Sequence, residues 1–328
     1  MSELRAMIPL SDQMVLPDKS YPDSNKYHLM GGVTTMAKGL FGRVFSSHFK
    51  GAGFDIWFSN YHIAQPTGFI LHYPPPLFLL HIPWVNESGI IYGDADESNP
   101  GEQQFDIYCS PGGNAVLTFP DATDYQVFAI VFSPDYLKEF AKHCDKLQAV
   151  LDKADAGSTA QMLDTRQFLS PAMIHVIYKM INFKGREALA SLYFSGLVQE
   201  LLLLVCIRVN LLSDQPTVPA IDLAQAEKAR KIITGDFEAF HTVEELAAKV
   251  GTTKHKLQKA FKYLYGQTVA EFSREARLEK GHQLLIQTTY PLRVVCEMVG
   301  YPDPSNFSVA FKKQYGFWPG EIQKNKKG

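Results

Sequence analysis

Residues 242–266, TVEELAAKVGTTKHKLQKAFKYLYG, and residues 292–316, LRVVCEMVGYPDPSNFSVAFKKQYG, are two versions of one text. Leu257, Phe261, Lys262, Tyr265 and Gly266 recur as Phe307, Phe311, Lys312, Tyr315 and Gly316 at a constant offset of 50. Just upstream, Ala247–x3–Gly251 recurs as Cys296–x3–Gly300 at an offset of 49. A small residue four before a glycine, followed by an amphipathic helix that ends at another glycine, is the pattern of a helix-turn-helix. The small side chain lets two helices cross closely, and the glycine supplies the turn's positive φ. One such match is weak; two in register are strong.

Local signals place the helices. Thr242 with Glu245 reads as a capping box opening Val243–Val250, and Thr268 with Glu271 as one opening a helix to about Gln287. Thr252 or Thr253 caps the helix that stops at Gly266. In the connecting helix, Phe272, Ala276, Leu278, Leu284 and Leu285 form the apolar stripe. Pro291 and Asp303–Pro304 sit where a first helical turn accepts proline.

The faces divide by chemistry. Over 253–265, Leu257, Ala260, Phe261 and Leu264 share one side, while Lys254, His255, Gln258, Lys259 and Lys262 share the other. Over 304–315, Phe307, Ala310 and Phe311 point inward, and Ser305, Ser308, Val309 and Lys312 outward. A single cationic helix face reads as solvated surface. Two, each inside a helix-turn-helix pair, read as a DNA-contacting pair.

This stretch, roughly residues 223 to 325, resembles the C-terminal DNA-binding domain of AraC/XylS-type transcriptional regulators. The resemblance implies a seven-helix domain with two recognition helices in successive major-groove segments. It puts the base-reading positions at His255, Gln258 and Lys259 in the first helix, and at Pro304, Ser305, Ser308 and Val309 in the second. The chain departs from the family pattern at Trp318 (usually serine), Cys296 (usually alanine) and Val309 (often arginine). Valine touches a thymine methyl but forms no hydrogen bond with a base edge, so the second helix is expected to lean on phosphates and DNA shape.

A chain of 328 residues holds two domains with cores of their own. The net charge of −2 conceals an asymmetry: residues 223–328 carry 17 Lys+Arg against 11 Asp+Glu (+6), and the remainder 15 against 23 (−8). A basic block suits a polyanionic partner, and Lys324, Lys326 and Lys327 could add to it. Cys109, Cys144, Cys206 and Cys296 are scattered and read as reduced, buried thiols of a cytoplasmic protein. The first residues lack the apolar run of a signal peptide. The stretch Leu189–Leu212 is apolar but contains Gln199, Glu200 and Arg208, so it reads as a soluble packing helix with no membrane partner.

Residues 1 to about 30, with Pro17 and Pro22, read as loop or edge strand. From about 40 to 133 eight short runs rich in β-branched and aromatic residues alternate with Gly, Pro, Asn and Asp clusters. They predict an antiparallel barrel or roll, compatible with the cupin-like effector domain common in AraC-type regulators. His62, His72 and His81 lie in these strands without the spacing of a metal site. Helices are expected at Asp135–Cys144, Ala172–Phe183 and Glu187–Leu212, the last with an apolar surface broad enough to meet a second subunit. The stretch LSPAMIHVIYKMINFKGREALASLYFSGLVQELLLL, with TTKHKLQKAFKYLYGQTV, resembles the PchR-type branch, which implies a ferric siderophore as effector.

The expected protein is thus an α+β two-domain chain. Residues 1–212 form an effector-binding and dimerisation domain, 213–222 a linker, and 223–328 an all-α domain with two helix-turn-helix units. Trp57, His72, His81 and Trp84 are the candidate effector-binding residues. The expected function is DNA-binding regulation, as an activator that meets RNA polymerase, binds a small-molecule effector, forms a homodimer and uses no cofactor. An enzyme fused to a DNA-binding domain is the rival reading, against which stands the lack of G-x-S-x-G, H-E-x-x-H or a glycine-rich phosphate loop. An effector-independent assembly protein is the third.

Overall fold

The computed structural model describes residues 14–15, 29–92, 100–164, 167–213, 218–239 and 241–325. Residues 1–13 and 16–28 of the stretch read as loop or edge strand, residues 214–217 of the predicted linker, and the last lysines, Lys326 and Lys327, lie outside the described residues. The chain divides into two compact units, Met1–Asp214 and Gln215–Gly328.

The first unit contains strands β1 (Met14–Val15), β2 (Val33–Gly39), β3 (Gly42–Lys50), β4 (Phe54–Ile63), β5 (Thr67–His72), β6 (Leu77–Val85), β7 (Gly89–Tyr92), β8 (Gln104–Ser110), β9 (Asn114–Phe119), β10 (Asp124–Phe132), β11 (Ala160–Gln161) and β12 (Gln167–Phe168). Its helices are α1 (Pro134–Ala141), α2 (Asp145–Asp155), α3 (Pro171–Ile181) and α4 (Ala190–Ser213). The larger, nine-stranded sheet has the order β1-β2-β3-β4-β10-β6-β8-β11 with β12 also on β8; a three-stranded sheet has the order β5-β9-β7. Both sheets are open, where the sequence had suggested a barrel or roll. The strand β2 was not anticipated, because VTTMAKG mixes small, polar and apolar residues without a strong run.

Strand alternation sends successive side chains of the large sheet to opposite faces. Ile56, Phe58, Phe78, Leu80, Ile82, Phe128 and Ile130 join one core together with the helices: Leu137 of α1, Leu147 and Leu151 of α2, Val176 and Ile177 of α3, and Phe194, Leu201 and Val205 of α4. Tyr61, Leu77, Leu79, Tyr125, Val127 and Ala129 face the other way, into a second core with Phe69, Leu117 and Phe119 of the small sheet. A buried carboxylate ties an edge down: Asp106 Oδ1 accepts from the amides of Ile107 (2.7 Å), Met162 (3.2 Å) and Leu163 (3.1 Å). Helix α4 is long and apolar enough to cross a membrane by length and composition alone. One face of it is nevertheless built into the helix-side core, and its buried Arg208 donates from Nη2 to Gln167 Oε1 at 2.6 Å, so the charge is not left bare. The other face leaves Leu192, Leu203, Ile207 and Leu211 exposed.

The helix predicted at Asp135–Cys144 ends at Ala141, and a separate α2 follows whose Leu147, Val150, Leu151 and Ala154 are buried at helical spacing. That i, i+3, i+4, i+7 pattern is masked in the sequence because Asp and Lys interleave it.

The second unit contains α5 (Ala220–Gly235), α6 (Val243–Lys249), α7 (Lys254–Tyr265), α8 (Val269–Gln287), α9 (Leu292–Met298), α10 (Pro304–Tyr315) and α11 (Pro319–Asn325). Helix α5 begins inside the stretch read as a linker. Both capping boxes form: Glu245 N–H donates to Thr242 Oγ1 at 3.2 Å and Thr242 N–H to Glu245 Oε2 at 2.9 Å, with the same exchange at Thr268 and Glu271. Pro291 is the residue before α9 rather than in its first turn. Gly251, Gly266, Gly300 and Gly316 all have φ between 69° and 83°. Phe307 and Phe311 are fully buried with Cys296, Val299 and Leu285, and a Cβ on Gly281 of α8 would come within 2.8 Å of the Phe307 ring.

The two turn glycines differ in their surroundings. A Cβ on Gly251 would meet nothing within 4 Å, whereas one on Gly300 would lie 2.4 Å from the Phe237 carbonyl oxygen. Gly251→Ala is therefore expected to cost only the left-handed backbone penalty, about 1–2 kcal/mol. Gly300→Ala adds a clash with backbone and is expected to cost clearly more. Urea unfolding of both variants checks this, and equal costs would refute it.

Candidate functional site

Helices α7 and α10 are presented in the same way. A short helix leads through a positive-φ glycine and a side-chain cap into a longer helix whose apolar side is buried. Thr253 Oγ1 accepts from Lys256 N–H at 3.4 Å at the start of α7, and Asp303 Oδ1 from Ser305 N–H at 2.9 Å at the start of α10. Leu257, Ala260, Phe261 and Leu264 anchor the first helix, Phe307 and Phe311 the second. The opposite faces differ. On α7, Lys254, His255, Lys259 and Lys262 are exposed and Gln258 is half-buried. Lys254 Nζ lies 2.6 Å from Glu244 Oε1, and its hydrogen bond holds the Glu244 carboxyl below the usual carboxylate range. On α10, Ser305 is exposed and Val309 is 62% exposed, while Ser308 is half-buried and its hydroxyl donates to the Pro304 carbonyl at 2.7 Å. Ser308 thus spends its only donor on its own helix, so the outward role expected of it is restricted to accepting. Lys312 Nζ lies 4.3 Å from the centroid of the Trp318 ring. This cation–π contact joins the outward lysine to the unusual tryptophan, a pairing that sequence spacing did not reveal.

In the first unit, a cavity of about 270 Å³ lies on the side of the large sheet that faces the small one. Trp57, His72 and His81 line it, together with Asp55, Tyr61, Phe69, Tyr73 and Ala129. Trp84, proposed with them, does not. It follows His81 by an odd number of residues on β6, so it points to the other face and packs on the helix-side core. Tyr61 and Tyr73, missed in the sequence, lie on the cavity wall, and burial pushes the Tyr61 hydroxyl up to about 12. His81 is 1% exposed, and burial lowers its imidazole from the ordinary 6.5 to about 3, so the ring is neutral. His62 lies away from the cavity, with Nδ1 2.8 Å from Asp124 Oδ1.

Residues 246–325 match the family described as "Helix-turn-helix domain". Over 81 residues the chain is 35% identical to the xylose operon regulatory protein of Escherichia coli K12, covering 25% of this chain and 21% of that one. Over 84 residues it is 34% identical to a putative AraC-like transcription regulator of Streptomyces antibioticus, covering 26% and 28%. Among solved structures, the C-terminal domain of AraT, a response regulator from Geobacillus stearothermophilus, is 27% identical and covers 34% of this chain and 88% of that one, with a TM-score of 0.30. The chain spans only between a fifth and a third of the length of these curated relatives.

The C-terminal segment is an AraC/XylS-type helix-turn-helix domain. Within this AraC-type domain, the cysteine that replaces the family's alanine, Cys296, is fully buried against α10, so the close crossing tolerates a thiol.

Burial of a neutral histidine makes the first unit acid-sensitive. The unfolded chain binds a proton at His81 below about 6.5 and the folded chain only below about 3. Between these values the unfolded state holds more protons, so stability falls as pH falls, by at most about 1.4 kcal/mol per pH unit. His81→Gln is expected to lose less stability than the parent between pH 7 and pH 4. Parallel stability profiles for the two proteins would contradict this.

Proposed function

We propose that this chain is a transcription regulator that binds duplex DNA through α7 and α10 and is controlled by a small molecule held in its N-terminal unit. The observation that carries the reading is the duplicated presentation: two capped helices after two positive-φ glycines, with outward faces of exposed Lys, His and Ser and a half-buried Gln, in a segment of AraC type. The two helices are two helix-turn-helix recognition helices. Residues 1–212 supply effector binding and self-association, 213–222 connect, and 223–328 bind DNA.

Lys254, His255, Gln258, Lys259 and Lys262 form the first DNA-contacting set, and Ser305, Ser308, Val309 and Lys312 the second. Gln258 offers the paired donor and acceptor that match adenine, and Lys259 reaches guanine acceptors. Val309 offers only apolar contact. Lys312, held over Trp318, is suited to a phosphate. The first helix therefore reads sequence and the second mainly sets register.

Control by a small molecule rests on the cavity around Trp57, His72 and His81. Homodimerisation rests on the exposed Leu192, Leu203, Ile207 and Leu211 of α4. The activator role follows the name of one relative, the lactose operon transcription activator of Staphylococcus xylosus, 33% identical over 89 residues; contact with RNA polymerase and a cytoplasmic setting belong to the same proposal. A ferric siderophore is the effector implied by the PchR-type resemblance. It would bring several chelating groups around one ion into a space of about 270 Å³, and the size of the cavity speaks for something smaller.

The full-length chain should select a specific duplex from a random library. Its log K should fall steeply with log salt, and a folded protein with no duplex affinity at low salt would end the proposal. On the selected duplex, Gln258→Ala should relax preference at one position, by roughly 1–3 kcal/mol of discrimination. Lys312→Ala should weaken binding to all sequences alike, and Ser308→Ala should do less than either. If a base-by-base scan shows Ser308→Ala collapsing specificity while Gln258→Ala preserves it, the roles of the two helices are reversed.

A further inference from the structure

Trp57 and His81 stand in one cross-strand row. Trp57 pairs with Ala129 across β4 and β10, and Ala129 pairs with His81 across β10 and β6. Two strand spacings of about 4.8 Å put their backbones roughly 10 Å apart. The residue between them contributes a single methyl group. The gap above Ala129, between two large side chains, is where the cavity lies.

Each end of the row holds an unused polar atom. Trp57 Nε1 and His81 Nε2 are both buried and have no hydrogen-bond partner among the described residues. Buried polar atoms are normally satisfied, and both orphans belong to side chains that line the one cavity, so a ligand there is the natural source of the missing partners. Trp57 N–H only donates; the neutral His81 nitrogen donates or accepts according to tautomer.

The walls define the rest of the ligand. Val44, Phe69, Leu79, Leu117 and Val127 are apolar, and Tyr61 and Tyr73 add aromatic surface. No lysine or arginine lines the cavity among the described residues, and its one carboxylate, Asp55, lies 3.6 Å from His48 Nε2. An anionic ligand would sit beside Asp55 with no lysine or arginine to pair with it, which is costly. The remaining polar lining, Ser46, Ser59 and His72, is sparse beside the apolar walls, so a sugar would leave several hydroxyls facing hydrocarbon. Size narrows the class further. A cavity of about 150 Å³ accepts benzene, so about 270 Å³ accommodates two fused rings, on the order of ten to thirteen non-hydrogen atoms.

We propose that this cavity binds an uncharged, metal-free, two-ring aromatic compound that accepts a hydrogen bond from Trp57 at one end and exchanges one with His81 at the other. The proposal rests on the reading of the N-terminal unit as effector-binding, and deepens it by naming the ligand class.

Calorimetric titration of the full-length chain with 2,6-dihydroxynaphthalene, naphthalene-2-carboxylate and D-xylose tests it. The dihydroxy compound is expected to bind at least tenfold tighter than either of the others. Trp57→Phe keeps an aromatic ring but removes the N–H, and should weaken it about three- to tenfold, the range for one neutral hydrogen bond. His81→Gln should act similarly, and Ala129→Leu should abolish binding by filling the gap. Thermal unfolding shows whether each variant folds, and the Trp57 and His81 variants suffice if Ala129→Leu does not. Equal or tighter binding of the carboxylate or xylose would overturn the ligand class. If that binding is also lost in Ala129→Leu, the effector reading of the cavity survives. Dihydroxynaphthalene binding that ignores all three substitutions would overturn the site. Binding that obeys them but leaves affinity for the selected duplex and transcription from it unchanged would support the cavity assignment and overturn the effector reading instead.

Discussion

The central side chains along β4, β6 and β10 face one of two cores, and the alternation of the strand decides which. Ile56, Phe58, Leu80, Ile82, Phe128 and Ile130 hold the helices in place. Trp57, Leu79, His81, Val127 and Ala129 line the opposite face. A slip of one residue in any of these strands would exchange the two sets. The register of β10 against both neighbours is therefore the constraint on which the helical layer, the small sheet and the cavity all depend.

The same constraint explains what the sequence conceals. A sheet buried on both faces loses the polar alternation that marks a strand with one wet side. LFLLHIPWV shows that a strand exists and hides which residues face which core. Trp84 was grouped with His81 because both lie in that run, yet their separation by three residues puts them on opposite faces. Tyr73 escaped notice because it lies just beyond the end of β5, where period-two reasoning stops. Closure is equally invisible: short strands and turn residues suit an open pair of sheets as well as a barrel, since the difference lies in whether the two edge strands meet.

The helical unit was far more legible, because its punctuation is local. Capping boxes at Thr242 and Thr268 and glycines at 251, 266, 300 and 316 act within four residues of themselves, and each forms as expected. Hidden there were contacts that depend on rotamers. The bond from Ser308 to the Pro304 carbonyl, the bridge from Lys254 to Glu244 and the stacking of Lys312 on Trp318 follow from no spacing rule. They alter which outward groups are free, so the exposed face on a helical wheel and the chemically available face are different sets.

The alanine at the centre of β10 makes the gap in the large sheet a subtraction from one strand, with Trp57 and His81 left standing on either side. Distances along such a row come only in whole strand spacings. A molecule that touches both ends is measured against a ruler with marks about 4.8 Å apart, so a longer one needs a second small residue on a neighbouring strand, and no gradual adjustment of this pocket would admit it.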